Sequence, residues 1–151
     1  MVQLEIRPYR PSDKGRLGAI HDAARKAELC LAGLEDAFLP FSQAAEREDF
    51  FQYPHIEVAV ADGQVQGFIA YTDEEIAWLY VAPWMARRGI GRALIRRALE
   101  SEPGIGAIEV LWGNEPAKKL YESFGFYVRE VEEGVMPGNE TFHVRVWCMS
   151  R

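Results

Sequence analysis

The stretch VAPWMARRGIGRALIRRALE, residues 81–100, decides the fold of this chain. A run of apolar strand formers ends at Val81, arginines and two closely spaced glycines follow, and apolar residues then recur at helical spacing. The first N–H groups of a helix lack backbone partners, and glycines let an anion approach those donors. Arg87, Arg88 and Arg92 add positive charge. The stretch therefore predicts a strand–turn–helix unit that binds a pyrophosphate; the alternative is a tight turn with solvated arginines.

Two other glycine-rich phosphate motifs do not fit this stretch. A P-loop requires Lys-Ser or Lys-Thr after its second glycine, but Arg92 and Ala93 follow Gly91. A dinucleotide fingerprint requires Gly or Ala at the sixth position counted from Gly89, and Leu94 stands there. The anion would therefore be held by a helix N-terminus of another kind.

The length and net charge of the chain disfavour several classes of protein, including nucleic-acid-binding proteins. A chain of 151 residues predicts one domain, residues 1–151, and its net charge of −6 disfavours a nucleic-acid partner, which needs a basic face. No apolar run approaches the roughly 18 residues of a membrane span, and the first ten residues contain no apolar leader segment. Cys30 and Cys148 are far apart and outside any metal-ligand spacing. We expect a cytoplasmic protein with reduced thiols and no membrane association.

Hydrophobic periodicity predicts a mixed α/β domain in the order β-α-α-β-β-β-α-β-α-β-β. Strands are predicted at residues 4–8, 55–61, 65–71, 75–81, 107–111, 126–133 and 140–148. Helices are predicted after Ser12 or Asp13, over residues 34–51 with an interruption at Pro40, over 91–100, and from a cap at Asn114 to Phe124. The sheet is therefore mostly antiparallel, with one βαβ crossover.

A second motif, WGNEPAKKLYESFGF at residues 112–126, gives the first one a specific meaning. The order Val-x-Pro, Arg-Arg-Gly-Ile-Gly-Arg-Ala-Leu, then Asn-x-x-Ala-x-x-Leu-Tyr-x-x-x-Gly-Phe resembles the GNAT superfamily of acetyl-CoA-dependent N-acyltransferases. The resemblance is clear over residues 65–126. It implies a single-domain GNAT-like fold, in which a mixed, mostly antiparallel sheet contains one central, splayed parallel strand pair flanked by helices.

The resemblance also implies the cosubstrate, acetyl-CoA, in the wedge between the strands at residues 75–81 and 107–111. The pantetheine arm would lie along Leu79, Tyr80 and Val81. The remaining residues that the resemblance assigns to the cofactor are Arg87, Arg88, Gly89, Ile90, Gly91, Arg92, Ala93 and Asn114. The chain departs from the family at Ala86, where Gln or Arg is usual, so Arg87 or Arg88 would have to replace that contact.

Two residues are candidates for proton transfer. Tyr121 matches the tyrosine that commonly protonates the departing thiolate in this family, and a phenol can do so within hydrogen-bond reach; the alternative is a packing role. An alkyl amine has a pKa of about 10, so its attack also needs a base. Glu75 is our candidate, with Glu74 as a substitute, and the alternative is a solvated turn carboxylate.

The acceptor side is less visible in the sequence. Residues 27–41 fall where the family builds its variable substrate pocket; there Glu28 would attract a cation and Phe38 would pack against an apolar body. Trp78 would contact substrate or belong to the core. His21 would wall the pocket or be an ordinary hydrogen-bonded histidine. Three isolated histidines define no metal site.

These residues favour an N-acetyltransferase that moves an acetyl group from acetyl-CoA to a primary amine by direct attack in a ternary complex. No cysteine lies in either motif, which disfavours a covalent acyl-enzyme. We expect a small-molecule or metabolite amine as acceptor. A protein or peptide acceptor, and a non-catalytic CoA-binding regulatory module, are the alternatives. A homodimer is common in the family.

Overall fold

The computed structural model describes residues 3–151 and places the elements in the predicted order. The strands are β1 Leu4–Pro8, β2 His55–Ala61, β3 Gln64–Tyr71, β4 Ile76–Val81, β5 Ala107–Leu111, β6 Tyr127–Met136 and β7 Asn139–Ser150. The α-helices are α1 Lys14–Ala32, α2 Phe41–Arg47, α3 Ile90–Ser101 and α4 Glu115–Glu122. Within residues 3–151 none of these helices is both long enough and apolar enough to cross a bilayer.

The strands form two antiparallel sheets that touch at one point. The first has the order β1-β2-β3-β4 and the second β5-β7-β6. A parallel bridge joins Glu75 to Ala107, and the Gly106 N–H donates to the Glu74 carbonyl at 3.0 Å. Beyond this contact β4 pairs with β3 and β5 pairs with β7, so the two parallel strands separate toward Val81 and Leu111. The predicted fold class, with its central splayed pair, is confirmed.

The main hydrophobic core fixes the helices around β4. α1 and α2 contribute Leu17, Ile20 and Phe41, which share this core with Trp78 and with Leu94 of α3. Aromatic rings are closely packed there, with the Phe50 and Trp78 centroids 4.9 Å apart. Burial of such large rings is the main stabilising term in a core of this size. Because β4 is packed from several elements, the edge it presents to the wedge is held in place.

Two segments differ from the sequence prediction in ways that matter for the site. The predicted helix over residues 34–51 is reduced to α2, which begins after Pro40 and ends before Asp49, whose φ of 52° is left-handed. Proline lacks the N–H that a continuing helix needs, so the helix restarts there. The final hairpin is longer than predicted, because β6 continues through Gly134 to Met136 and the turn is confined to Pro137 and Gly138. That turn reaches the end of α2.

Smaller differences lie at element ends. β4 begins at Ile76, α3 begins at Ile90, and α4 ends at Glu122, each within two residues of the prediction. The predicted cap of α4 is present, since the Asn114 side-chain oxygen accepts from the Ala117 N–H at 3.3 Å.

Candidate active site

The loop between β4 and α3 presents a row of backbone donors. Among the described residues, the N–H groups of residues 87–92 donate to no backbone carbonyl, and the first helical bond runs from the Ala93 N–H to the Gly89 carbonyl. Arg87 and Gly89 are both left-handed, with φ of 63° and 80°. A side-chain-bearing residue is strained in that region, and such strain is often found at ligand-binding backbone. The predicted pyrophosphate cradle therefore has the expected shape, with donors and a helix N-terminus facing outward.

A groove leads from this cradle into the wedge. Its outer part, about 790 Å³, lies between the loop, α3 and α4, and its inner part, about 310 Å³, continues along β4 to α1. The two parts share five lining residues: Val81, Gly91, Pro116, Ala117 and Leu120. We call the two parts together the cofactor groove. A long, narrow, largely apolar groove that ends in backbone donors is suited to a pantetheine arm attached to a pyrophosphate.

The basic residues near the loop differ in whether their charged groups face the cofactor groove. Arg87 lines the groove beside Ala86, and Lys119 faces it from α4. Arg92 also lines the groove, but its guanidinium donates to Ser123 Oγ at 3.1 Å and lies over the Phe124 ring. Lys119 stands at an unspecified position of the second motif, between Ala117 and Leu120, so the motif itself assigns it no role at the groove.

A hydrogen-bonded carboxylate crosses the inner end of the cofactor groove. Glu28 accepts from Arg25 at 2.6 Å, from the Tyr80 hydroxyl at 3.2 Å, and from the Asn114 amide at 3.1 Å. It thereby ties β4 to the first turn of α4. Burial raises the pKa of Tyr80, and the Glu28 charge adds to the rise. The structure therefore places Glu28 beside the predicted cofactor residues Tyr80 and Asn114; its contact with an acceptor stays a prediction.

Tyr121 follows Leu120, which lines both parts of the groove, but Tyr121 is not itself among the lining residues. It is buried, its ring packs edge-on against Phe126, and burial raises the pKa of its phenol, with Glu28 and Tyr80 adding to the rise. Its raised pKa keeps the Tyr121 hydroxyl protonated at neutral pH, as a proton donor requires.

A second cavity, of about 530 Å³, opens on the other stretch of β4. We call it the acidic cavity, because four carboxylates line it: Glu48 after α2, Glu75 and Glu109 at the start of β4 and in β5, and Glu140 in β7. Its wall also includes Trp78, Tyr53 and the turn at Pro137 and Gly138. The predicted residues Glu75 and Trp78 are thus brought together, and the cavity adjoins the segment that continues into the cofactor groove.

Sequence reasoning missed several residues of this cavity, and Glu48 is the one with the most strongly shifted carboxyl pKa. Burial raises the pKa of its carboxyl to about 7; Arg25 acts in the opposite direction, and the Glu140 charge adds to the rise. Burial also raises the pKa of Tyr53 and of Glu109, with the Glu75 charge contributing to both. Nothing in the local sequence AAEREDF marks Glu48, because its surroundings come from α1 and the β6–β7 turn.

Two other candidates lie away from both cavities. Phe38 packs in a small cluster with Leu29, Leu111 and Met136, beneath the Lys26 ammonium 4.8 Å from its ring centre. His21 is buried between Phe41, Trp78 and Tyr80, and its Nδ1 lies 3.0 Å from Asp22. Burial lowers the pKa of His21, so it is neutral at neutral pH. Substrate contact by Phe38 stays a prediction, and His21 has a packing role.

One group of side chains resembles a metal-ligand set. The ligand atoms of Glu109, Glu132 and Cys148 all lie within 4.8 Å of one another. Burial and the neighbouring carboxylates raise the pKa of the Cys148 thiol to about 11. A thiol must lose its proton to bind a metal, so this environment opposes coordination at neutral pH.

Sequence comparison gives the family of these motifs. A family model described as acetyltransferase (GNAT) domain matches residues 47–128. Peptidyl-lysine N-acetyltransferase YiaC of Escherichia coli (strain K12) is 35% identical over 68 residues, which cover 44% of this chain and 46% of YiaC. The uncharacterized N-acetyltransferase YafP of the same strain is 27% identical over 128 residues, covering 83% of each chain. This chain therefore spans less than half of YiaC.

Solved structures show the same fold over nearly the whole chain. A GCN5-related N-acetyltransferase from Rhodopseudomonas palustris has a TM-score of 0.76 at 21% identity and covers 100% of this chain and 96% of its own. The PaiA N-acetyltransferase from Thermoplasma acidophilum, in complex with coenzyme A, has a TM-score of 0.70 at 19% identity and covers 99% and 98%.

Proposed function

This chain belongs to the GNAT acetyltransferase family, and we propose that it moves an acetyl group from acetyl-CoA to a primary amine by direct attack in a ternary complex. The observation that carries this proposal is the continuity of the cofactor groove. It runs from the free backbone donors of residues 87–92, past Val81 and Leu120, to Leu79 and Tyr80 at its inner end. Tyr121 follows Leu120 in α4 and would supply its hydroxyl to this end. The same groove without a proton donor at its end would suit a binding module as well as an enzyme.

The residues present fit acetyl-CoA. The pyrophosphate would face the N-terminus of α3. The predicted cofactor-binding residues at this end include Arg87, Arg88, Ile90 and Ala93, and Arg87 lines the groove. The pantetheine amides would pair with residues 79–81 of β4, because this strand has no partner on its wedge edge beyond the bridge at Glu75. An unpaired strand edge offers the alternating donors and acceptors that such an arm requires.

The chemistry divides between two protein groups. The neutral amine attacks the thioester carbonyl carbon, the C–N bond forms, and the C–S bond breaks. A β4 backbone N–H would stabilise the developing oxyanion. The departing thiolate takes a proton from the Tyr121 hydroxyl, which its raised pKa keeps protonated at neutral pH until the sulfur becomes basic.

The proposed acceptor is a small-molecule or metabolite amine held in the acidic cavity, whose volume of about 530 Å³ suits a small ligand. A lysine side chain of a peptide is the second candidate, favoured by the similarity to YiaC, a peptidyl-lysine N-acetyltransferase. Glu75 as base, a cytoplasmic location and a homodimer also stay predictions.

The first experiment measures thiol release from acetyl-CoA across a panel of diamines, amino acids and lysine peptides. Tyr121→Phe should lower kcat about 100-fold, the usual range for loss of a general acid, with the Kd for CoA unchanged. Tyr127→Phe is the matched control, because Tyr127 is exposed on β6 and should keep wild-type kcat. If CoA binds but no acceptor releases thiol, the chain is a CoA-binding module and the proposed enzyme activity is wrong.

A further inference from the structure

We infer that Glu48 is the base of the transfer reaction: it accepts the proton of a cationic amine that enters through the acidic cavity. This inference rests on the proposed function, since a base is required only if an amine is acetylated. The inference supplies a proton acceptor, which the two motifs do not contain. It also places the acceptor amine in the acidic cavity and predicts that this amine is a cation.

The fold holds the Glu48 carboxylate firmly at the cavity wall. Glu48 ends α2, and the β6–β7 turn packs directly against it: a Cβ added at Gly138 would lie 3.3 Å from Glu48 Cγ and 3.5 Å from its Oε2. Arg47 fastens the same contact from outside by donating to the Gly138 carbonyl at 2.9 Å. A carboxylate placed between a helix end and a tight turn has few rotamers to choose from, as a proton-transfer group requires.

The position of the cavity connects Glu48 to the point of transfer. Residues 75–78 of β4 line the acidic cavity, and residues 79–81 of the same strand line the inner cofactor groove. An acceptor in the cavity therefore meets the thioester near the boundary between Trp78 and Leu79. Glu48 and Trp78 line the same cavity, so the Glu48 carboxylate lies on the acceptor side of this boundary.

Glu75 is less well placed for the same task. It lies four residues before Leu79, or about 13 Å along an extended strand, at the closed end of the wedge where it pairs with Ala107. Its side chain is exposed. Glu48 instead approaches from α2, across the cavity, so its reach does not depend on the length of β4.

The charges facing Glu48 favour both proton transfer and a cationic acceptor. Arg25 faces it from α1, Tyr53 from the segment before β2, and the carboxylates of Glu75, Glu109 and Glu140 from three strands. Arg47 is adjacent in α2 and points to the turn. Burial and Glu140 raise the pKa of Glu48 to about 7, close to the operating pH, which is where a base works best. The acidic surroundings attract an ammonium ion and repel an acceptor that carries a carboxylate beside its amine.

The proton balance is complete with these groups. The ammonium proton passes to Glu48, the freed amine attacks the thioester carbon, and the thiolate takes the Tyr121 proton as the C–S bond breaks. Glu48 then releases its proton to solvent through the cavity. The second proton of the attacking nitrogen leaves as the tetrahedral intermediate collapses and returns through solvent to the Tyr121 phenolate, so one proton is released per turnover and both side chains regain their starting states.

The test compares amines that do and do not need a base. Cadaverine and Nα-acetyl-lysine methylamide are cations at pH 7, whereas aminoacetonitrile is mostly neutral. Glu48→Gln should lower kcat/KM about 100-fold with the two cations and less than about fivefold with aminoacetonitrile. It should also remove the acid limb of the pH profile near pH 7, and Glu48→Asp should restore part of the rate. Glu46→Gln, an exposed neighbour on α2, is the control.

The outcomes separate the two proposals. Equal losses with all three amines, or a selective loss in Glu75→Gln but not in Glu48→Gln, would overturn the inference while the transferase stands. Unchanged CoA binding by Glu48→Gln in calorimetry verifies that the variant is folded. If the wild-type protein acetylates none of the amines, the proposed function itself has failed.

Discussion

The cofactor groove and the acidic cavity lie on consecutive stretches of one strand, yet the chain builds them in opposite ways. The groove is made almost entirely from one continuous segment, from Leu79 to Leu120, with α1 closing its end. The cavity is gathered from five separate places: the end of α2, the segment before β2, the start of β4, β5, and the β6–β7 turn with the first residues of β7. A site made from adjacent residues leaves a motif in the sequence, whereas a site assembled by tertiary packing does not.

The two sites also store strain in different forms. In the groove it is conformational, since Arg87 and Gly89 take left-handed backbone angles to turn donors outward. In the cavity it is electrostatic, since Glu48 is half-buried near Glu140. Glycine relieves the backbone strain, because it adopts left-handed angles without steric cost. Protonation of Glu48 relieves the electrostatic strain. Three substitutions test this contrast.

The largest effect is expected at the floor of the groove. In Gly91→Leu the new side chain would enter the passage between Val81 and Leu120, because a Cβ at residue 91 already lies 3.3 Å from Leu120 Cδ2. The Kd for CoA should rise about 30-fold, roughly 2 kcal/mol, as measured by calorimetry. The melting temperature should not fall, since glycine is a poor helix former.

The matched control for this substitution is Gly15→Leu, at an exposed position of α1 where an added Cβ meets nothing within 4 Å. It should leave the Kd for CoA unchanged. Equal CoA affinity in Gly91→Leu and wild type would mean that the cofactor does not pass between α3 and α4, and the assignment of the groove would be wrong.

An intermediate effect is expected from backbone strain. Gly89 and Gly63 have nearly equal φ angles, 80° and 82°, and an added Cβ meets nothing within 4 Å at either. Replacing either by alanine should lower the free energy of unfolding by about 1 kcal/mol, the strain of a left-handed alanine. Urea denaturation measures this loss.

Only Gly89→Ala should also weaken CoA binding, because Gly63 lies in the β2–β3 turn, away from the cradle. Comparison of Gly89→Ala with Gly63→Ala thus separates the loss of stability caused by backbone strain from a contribution of Gly89 to CoA binding. If both variants bind CoA like the wild type, the left-handed backbone at residue 89 serves the turn alone.

The sequence predicted the groove because its signals are local. Gly89, Gly91, Asn114 and Tyr121 follow one another in a fixed strand–helix–strand–helix order, and the mostly antiparallel pattern with one crossover then fixes the splayed pair. The order and type of the elements were confirmed; only their ends shifted. α2 is shorter than predicted because the helix starts only after Pro40. The sequence shows that a helix is interrupted at Pro40, but not which side of the proline packs as a helix.

The cavity could not be predicted in the same way. The sequence predicts the acceptor side at residues 27–41. In the structure Glu28 is hydrogen-bonded to Tyr80 and Asn114 at the groove and Phe38 packs beside Leu111, and their contact with an acceptor stays a prediction. Glu48 became visible only when the turn at Gly138 was placed against it. No periodicity links residues that lie 90 positions apart.

The smallest effect concerns the electrostatic strain of Glu48 and is measured on stability rather than rate. A carboxyl whose folded pKa is raised to about 7 from 4.5 binds its proton more tightly in the folded state. Its ionisation therefore opposes folding as the pH rises from about 4.5 to 7, and the full penalty is present above that range. Glu48→Gln should be more stable than wild type by about 1 kcal/mol at pH 8, after screening of a half-buried charge, and nearly equal at pH 5.

Urea denaturation at both pH values measures this difference, with Glu46→Gln on the exposed face of α2 as the control that should show no pH dependence. Groups that do not interact with Glu48 contribute equally to variant and wild type, so a gain at pH 8 alone reports the Glu48 charge and its interactions with Arg25 and Glu140. Equal stability at pH 8 would mean that Arg25 already neutralises that charge. The base would then ionise at the ordinary pH of a glutamate, and the acid limb expected near pH 7 would have to belong to another group of the cavity.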